Sequence, residues 1–304
     1  MLKEPYSKED TMSVNPSSSL NLFVSDLHGR IERYEKLLRL IKAEKPRRVF
    51  VGGDILPHAF SFLARSGPSS QDFLTDYLRP KLLELQNTVA ADYPEIYAIL
   101  GNDDPRREED GLLELERQGL LYYLHERVIE KNGYSFFGYS CVPPTPFTLK
   151  DWERYDVSRF VDVGVVSPEQ GFRTVPVDSW TIRYGTIADE LNALAGNRDL
   201  SRAAFLFHSP PYDTGLDRAA LDGVMVDHAP LDVHVGSVAV RRFIEARQPL
   251  LTMHGHIHES TRLTGVWRER MGRTWCFNAA HDGAELCVVR FDLTHLDEAD
   301  RLLL

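Results

Sequence analysis

Five segments of the chain place oxygen- or nitrogen-bearing side chains directly after a short apolar run. In the first of them, residues 21–30, Asp26 and His28 follow the apolar residues 22–24. Residues two apart in an extended segment project from the same side, so this carboxylate and this imidazole are expected to converge on one point. An oxygen and a nitrogen aimed together indicate a divalent metal ion. Taken alone, the pair is more typical of a polar turn after a strand than of a metal site. The other segments decide between these two interpretations.

The other four segments repeat this placement. They carry, in chain order, Asp54, Asn102, His208, and the pair His256 and His258. Side chains of these types bind borderline metals through oxygen or nitrogen. Seven protein ligands exceed what one catalytic ion needs, but they suit two ions about 3.5–4 Å apart that share a bridging carboxylate. The sequence therefore predicts a binuclear metal centre.

Alternating strands and helices must position these side chains. Apolar periodicity predicts strands at 22–24, 47–51, 96–100, 203–207 and 250–252, and helices at 31–43, 72–91, 111–118, 186–195 and 235–246. The Asn132-Gly133 pair predicts a hairpin over 126–139, and the tail over 261–293 is predicted to be an antiparallel end of a second sheet. Ligands of α/β sheets collect beyond the carboxyl ends of the strands, so the polar turns are expected to meet at one edge.

The chain is long enough for one large domain, with 304 residues of which 43% are hydrophobic. Residues 1–19 are rich in Ser, Lys, Glu and Pro, so we expect a flexible amino-terminal arm there rather than a secretory signal, followed by a single domain over 20–304. Between about 142 and 183 the periodicity fails, and prolines mix with aromatic residues. We interpret this segment as an insertion that caps the site or makes a subunit contact, with a surface loop of no special role as the alternative.

Composition disfavours several classes of partner. The net charge of −10 disfavours tight binding of duplex nucleic acid, and no apolar run of about 18 residues indicates a membrane span. The three cysteines, Cys141, Cys276 and Cys287, are odd in number and widely spaced, which predicts a reduced, cytoplasmic compartment and no cysteine-based metal site. A homodimer is compatible with the sequence.

In combination, the five segments resemble the calcineurin-like metallophosphoesterase family. The family's pattern is Asp-x-His, Gly-Asp, Gly-Asn-His-Asp or Glu, a lone His, and Gly-His-x-His, and the resemblance covers residues 20 to about 291. It implies an α/β fold of four layers, αββα, in which two mixed sheets are flanked by helices. Within the family, residues 208–214 and 255–260 look most like uncharacterised soluble phosphoesterases and somewhat like class III cyclic-nucleotide phosphodiesterases.

The resemblance implies a metal role for each of the seven candidate ligands. Asp26, His28 and His258 would hold the first ion, Asn102, His208 and His256 the second, and Asp54 would bridge them. The ions would be Mn, Fe, Zn, Co or Ni. A hydroxide that bridges two such ions would attack phosphorus in line. The implied activity is hydrolysis of a small phosphodiester or phosphomonoester, nucleotides included.

The pattern departs from the family at Asp103, where the family commonly carries a catalytic His. A His there can donate a proton to the leaving alkoxide, whereas an ionised Asp would repel it. Three accounts are open: Asp103 stays protonated beside Asp104, another histidine such as His254 or His234 takes over, or the substrate has an activated leaving group. Asp104 is expected to orient a neighbouring ligand or turn, with a helix cap before Pro105 as the alternative.

Two other classes of function remain as alternatives. A protein-interaction scaffold that has lost its chemistry is consistent with Asp103, but it has no need of a full set of metal ligands. A nuclease is disfavoured by the acidic net charge and by the lack of Lys and Arg runs.

Overall fold

A computed structural model of the chain describes residues 18–57 and 72–304. Within these ranges the strands are β1 (Leu20–Val24), β2 (Arg48–Gly52), β3 (Glu95–Ile99), β4 (Tyr122–Tyr123), β5 (Arg127–Lys131), β6 (Tyr134–Tyr139), β7 (Ala203–Phe207), β8 (Met225–Val226), β9 (Ala229–Pro230), β10 (Leu251–His254), β11 (Arg268–Met271), β12 (Thr274–Asn278), β13 (Cys287–Asp292) and β14 (His295–Leu303). The helices are α1 (Ile31–Glu44), α2 (Arg79–Val89), α3 (Glu109–Arg117), α4 (Ser179–Tyr184), α5 (Ile187–Ala195), α6 (Val238–Arg247) and α7 (Ser260–Thr264). The predicted arm, 1–19, lies outside the described residues except for 18 and 19, and the division into an arm and one domain stays a prediction.

Two six-stranded mixed sheets form the centre of the fold. The first has the order β14-β13-β1-β2-β3-β4, in which β1 to β4 are parallel and β13 and β14 are antiparallel additions. The second has the order β11-β12-β10-β7-β6-β5, with four parallel central strands and an antiparallel strand at each edge. Helices flank both sheets, so the predicted αββα arrangement is confirmed.

An aromatic layer fills the space between the sheets. Phe136 of the second sheet contacts Phe50 and Tyr97 of the first, with ring centroids 5.6 and 4.9 Å apart. Phe277 of the second sheet contacts Phe291 of the first at 5.6 Å. All five rings are buried. The two sheets are therefore held together mainly by apolar burial and ring contacts.

Helices cover the outer faces of the sheets. The buried stripe of α1 consists of Tyr34, Leu37, Leu38 and Ile41, at the spacing of one helix face. On the second sheet, Phe205 packs edge-on against Phe243 of α6 at 5.1 Å. Strands that are buried on both faces must be apolar throughout, which explains the unbroken apolar runs in the sequence. No helix among the described residues combines the length and apolar character that a bilayer crossing requires.

The predicted hairpin is confirmed, and the helix predicted over 72–91 is interrupted. β5 and β6 are antiparallel, and Asn132 and Gly133 have φ of 54° and 74°, as a type I′ turn requires. A π-helical segment, Phe73–Leu78, precedes α2, which has Pro80 in its first turn. Proline lacks the N–H that an interior helical position needs, so it is tolerated where a helix begins.

The predicted antiparallel end of the second sheet is only partly correct. β11 and β12 extend that sheet, but β12 runs parallel to β10. β13 and β14 join the first sheet, beside β1. Alternation of polar and apolar residues identifies a strand but not its partner, because the partner is set by contacts distant in sequence.

The 142–183 segment has a buried inner part and an exposed outer part. Trp152 is fully buried, and Lys150 and Glu153 form a buried ion pair with Nζ and Oε2 2.5 Å apart. Phe160 and Trp180 in the outer part are 74% and 71% exposed. The inner part therefore belongs to the core, and a subunit contact through the outer part stays a prediction.

Replacement of Phe136 tests the packing between the sheets. Phe136→Ala is expected to lower the free energy of unfolding by about 3–5 kcal/mol, because the two sheets cannot close around the space left by the ring. Urea denaturation of the purified protein measures this change. The matched control is Phe160→Ala, on a ring that is 74% exposed, which should change the value by less than about 0.5 kcal/mol. Equal effects of the two substitutions would contradict the conclusion that the Phe136 ring stabilises the packing between the sheets.

Candidate metal centre

The turns that follow five strands bring the predicted ligands to one edge of the two sheets. The turns after β1, β2 and β3 carry Asp26 and His28, Asp54, and Asn102, and those after β7 and β10 carry His208, and His256 and His258. His208 lies close enough to the first sheet for its Nδ1 to be 2.8 Å from the carbonyl oxygen of Gly52. The carboxyl ends of the parallel strands of both sheets therefore meet at this edge.

One group of side chains consists of Asp26, His28, Asp54 and His258, and one ligand atom from each lies within 4.8 Å of the others. The Nε2 atoms of His28 and His258 are 3.1 Å apart. Nε2 of His258 is also 3.2 Å from Oδ1 of Asp26. Two imidazole nitrogens and two carboxylates that face each other in this way form a set of ligands suited to a divalent cation.

A second group lies around His208. Its Nε2 is 3.0 Å from Oδ1 of Asn102 and 3.4 Å from Oδ2 of Asp54. The carbonyl of Gly52 can only accept, so Nδ1 of His208 donates to it, and Nε2, which faces the oxygens of Asn102 and Asp54, is the nitrogen that a metal ion would take in place of a proton. The ring of His256 lies 5.2 Å from the ring of His208.

Asp54 lies between the two groups. Its Oδ2 is 3.8 Å from Nε2 of His28 and 3.4 Å from Nε2 of His208. All seven predicted ligands therefore lie at this edge of the sheets.

The backbone at several ligands is left-handed. The φ angles are 57° at Asp26, 49° at His28, 48° at Asp54 and 72° at His256. The extended geometry predicted for Asp26 and His28 is therefore wrong, although both side chains do reach one site. Non-glycine residues in this region cost of order 1–3 kcal/mol each and cluster at functional sites. Hydrogen bonds to the turn after β2 hold this conformation: Asp26 N–H donates to Gly53 O at 3.0 Å and His28 N–H to Asp54 O at 2.7 Å.

The acid groups at the centre are held ionised. Burial raises the pKa of Asp26, but the hydrogen bond and the charge of His258 lower it to about 2. Burial also raises the pKa of Asp54, but the charge and hydrogen bond of His208 hold it well below its usual range. Burial lowers the pKa of His208, but Asp54 raises it to about 9. Ionised carboxylates together with imidazole and amide groups fit divalent transition metals.

Asp104 joins two of the turns. Its Oδ2 accepts from Ile55 N–H at 3.1 Å and Gly101 N–H at 2.8 Å, and its Oδ1 accepts from Leu56 N–H at 2.8 Å. Burial and the charge of Asp54 raise the pKa of Asp104 to about 7. The expected orienting role fits this geometry, and the alternative of a helix cap does not, because these bonds go to the turn after β2 and to Gly101 rather than to the N–H groups of the helix that follows. Asp104 thus positions these turns, and a direct part of Asp104 in catalysis stays a prediction.

The structure argues against His254 as a proton donor. Its ring is fully buried and stacks on Phe207 with centroids 5.7 Å apart. Nδ1 is 2.9 Å from Ser209 O, and Nε2 is 2.8 Å from Thr252 Oγ1, so both nitrogens are engaged inside the protein. Burial lowers the pKa of His254 to about 4. The sequence could not exclude this role, because it does not show whether a side chain at the end of a strand points toward the site or into the core.

His234 has a different environment. Its Nδ1 is 2.8 Å from Oδ1 of the fully buried Asp217, and its side chain is 27% exposed. A buried carboxylate at one ring nitrogen fixes the tautomer, and the other nitrogen, Nε2, lies 3.8 Å from Oδ1 of Asp213. A role for His234 in proton transfer stays a prediction.

Sequence reasoning missed two residues that support the site. Arg33 is buried, and its guanidinium donates to Asp26 O at 2.5 Å and to Gly283 O at 2.6 Å. A charged residue next to Tyr34 on the apolar stripe of α1 was the available signal. Trp152 donates from Nε1 to Asp104 O at 2.7 Å, and nothing local in the sequence indicates that contact.

Comparisons with known proteins decide the family. A model of the calcineurin-like phosphoesterase family matches residues 22–260. The chain belongs to this family. As a calcineurin-like phosphoesterase it is a metal-dependent phosphoesterase, with a candidate metal-binding group in Asp26, His28, Asp54 and His258.

Solved structures of other proteins are similar to this chain at low sequence identity. A protein from Thermus thermophilus is 16% identical with a TM-score of 0.55, over 93% of this chain and 98% of that one. A dimetal phosphatase from Danio rerio is 12% identical with a TM-score of 0.47, over 89% and 91% of the two chains. A structure described as a novel archaeal phosphodiesterase is 11% identical with a TM-score of 0.42, over 94% and 99%. None of the curated proteins matches the sequence significantly.

Gly101 tests how closely the ligand turns must approach. A Cβ at this position would clash with Oδ1 of Asp54 and lie 2.7 Å from Cε1 of His208. Gly101→Ala is therefore expected to weaken Mn²⁺ binding by at least about tenfold, as displaced ligand support does in other metal sites. Isothermal titration calorimetry on metal-free protein measures this.

Gly111→Ala is the matched control for Gly101→Ala. Its Cβ would press mainly on the flexible end of the Leu74 side chain, within a helix that favours Ala over Gly. Mn²⁺ affinity should be unchanged in this variant. An unchanged affinity in Gly101→Ala as well would show that the turn after β3 plays no part in binding.

Proposed function

We propose that this calcineurin-like phosphoesterase is a binuclear metal-dependent hydrolase of a small phosphodiester or phosphomonoester, with nucleotides among the candidate substrates. The position of Asp54 carries the proposal. Its Oδ2 is 3.8 Å from Nε2 of His28 on one side and 3.4 Å from Nε2 of His208 on the other. A carboxylate between two groups of imidazole ligands is what two neighbouring cations share.

The side chains divide into two sets of ligands. Those that would hold one cation are Asp26, His28 and His258, and those that would hold the other are Asn102, His208 and His256, with Asp54 common to both. When bound, such cations neutralise phosphoryl oxygens and lower the pKa of a coordinated water toward neutrality. The donor set suits Mn, Fe, Zn, Co or Ni.

The protein's own contribution is to hold the ligands in place before substrate arrives. The Gly52 carbonyl fixes the His208 ring, and Asp104 fixes the turns that carry Asp54 and Asn102. Ligands fixed in this way lose little freedom when a phosphoester binds, which favours catalysis. A small phosphoester as substrate, a second copy of the chain as partner and a cytoplasmic location stay predictions.

Asp54→Asn tests the shared ligand. Mass-spectrometric metal analysis of Mn²⁺-loaded protein should find two ions per wild-type chain and at least one fewer in the variant. Turnover of bis(p-nitrophenyl) phosphate should fall by more than about 100-fold, because the loss of even outer-sphere support costs 10–100-fold. The control is Asp222→Asn, on a carboxylate that is 69% exposed. A variant that keeps both ions and full turnover would contradict the proposal.

A matrix of metals and substrates separates the competing functions. The wild-type protein is loaded with Mn, Fe, Zn, Ni or Mg and assayed on p-nitrophenyl monoesters and diesters, cyclic nucleotides and a single-stranded oligonucleotide. Turnover of the small esters or cyclic nucleotides supports the proposal, and turnover of the oligonucleotide alone favours a nuclease. Bound metal without turnover of any substrate favours a scaffold.

A further inference from the structure

Asp103 occupies the position of the family's catalytic His, but its carboxylate faces a candidate metal ligand. Its Oδ2 is 3.4 Å from Nδ1 of His28, and its backbone N–H donates to Oδ1 of Asp54 at 2.8 Å. The other nitrogen of His28, Nε2, lies 3.1 Å from Nε2 of His258 and 3.8 Å from Oδ2 of Asp54. The Asp103 carboxylate therefore lies beside Nδ1 of His28, while Nε2 of the same ring is turned toward the other ligands.

We propose that Asp103 is a positioning residue that holds the His28 ring as a metal ligand, in place of the proton donor that the family commonly has at this position. The inference rests on the proposed binuclear function. Histidines that bind metals usually donate their second N–H to a carboxylate or a carbonyl, which fixes the tautomer and the ring orientation. Asp103 places a carboxylate oxygen 3.4 Å from Nδ1 of His28, where it can serve as that acceptor when the ring binds a metal through Nε2.

The same arrangement occurs on the other side of Asp54 with a different acceptor. Nδ1 of His208 is held by the Gly52 carbonyl at 2.8 Å. His28 lies in a tight turn with a φ of 49°, and its own N–H is already bonded to Asp54 O. In each case an oxygen atom lies beside Nδ1 of the ring. For His28 this oxygen belongs to the Asp103 carboxylate in the turn after β3, and for His208 it belongs to the Gly52 carbonyl at the end of β2.

The assignment has a consequence for the class of substrate. A proton donor must reach the leaving oxygen, and the Asp103 carboxylate is directed at His28 instead. The leaving group then departs without a proton from this position. We expect esters and anhydrides with weakly basic leaving groups, such as aryl or phosphate groups, to be the substrates, and simple alkyl esters to react far more slowly.

Two variants of Asp103 and one control variant test the assignment by calorimetric titration of metal-free protein with Mn²⁺. Asp103→Ala should weaken the binding by about 10–100-fold, as the loss of a hydrogen-bond acceptor behind a metal ligand does elsewhere. Asp103→Asn keeps an acceptor oxygen for His28 and should restore most of the affinity. Asp222→Ala, which removes a carboxylate that is 69% exposed, is the control and should bind Mn²⁺ like the wild type.

Turnover at saturating Mn²⁺ supplies the second readout. With p-nitrophenyl esters, kcat of Asp103→Ala should stay within about tenfold of the wild type, since its metal site is refilled by mass action. The slope of rate against leaving-group pKa should be equally steep in both proteins. A flat slope in the wild type that becomes steep in Asp103→Ala, with unchanged Mn²⁺ affinity, would identify Asp103 as a proton donor and overturn the proposal.

The outcomes also separate this inference from the function on which it rests. A wild-type protein that binds no metal, or an Asp54→Asn variant that binds it fully, removes both proposals. Loss of binding in Asp54→Asn with wild-type affinity in Asp103→Ala removes only the positioning role.

Discussion

The burial of two carboxylates, Asp26 and Asp54, is the constraint on which the site depends. Asp26 has no exposed surface and Asp54 retains 3%. A buried charge costs several kcal/mol unless it is paired and hydrogen-bonded. The backbone supplies part of that compensation, because His256 N–H donates to Asp26 and Asp103 N–H donates to Asp54. The surrounding imidazoles supply the rest, and a bound cation would complete it.

The two-sheet architecture makes this compensation available because it brings strand ends from both sheets together. His208 comes from the second sheet and is bonded to the Gly52 carbonyl of the first, and Gly255 N–H donates to His208 O at 3.0 Å. The turns that carry the ligands contain left-handed residues whose strain is balanced by these bonds between turns. Apolar packing between the sheets thus supplies the stability, and the edge of the sheets carries the strained and charged groups.

The segment that lacks periodicity also supports the site. Trp152 donates to Asp104 O, and Asp151 accepts from Arg106 N–H at 2.7 Å, just beyond the turn after β3. The buried pair of Lys150 and Glu153 lies in the same stretch, and Lys150 also donates to Thr145 O at 2.9 Å. The inner part of the insertion therefore closes against the ligand turn, and the exposed aromatic residues of its outer part lie away from this packing.

Much of the fold and the ligand set could be predicted because both leave local signals. Unbroken apolar runs marked the parallel strands, and each run ended in a polar turn, so residue patterns alone placed Asp26, Asp54 and His208 at strand ends. Only the tertiary structure could decide where a side chain at a strand end points. In the tertiary structure His254 is buried in the core, and the Asp103 carboxylate lies beside His28. Asp104 accepts hydrogen bonds from the backbone of two turns, and β13 pairs with β1. The physical reason is that these choices depend on hydrogen bonds and packing between segments far apart in the chain, which local residue patterns do not record.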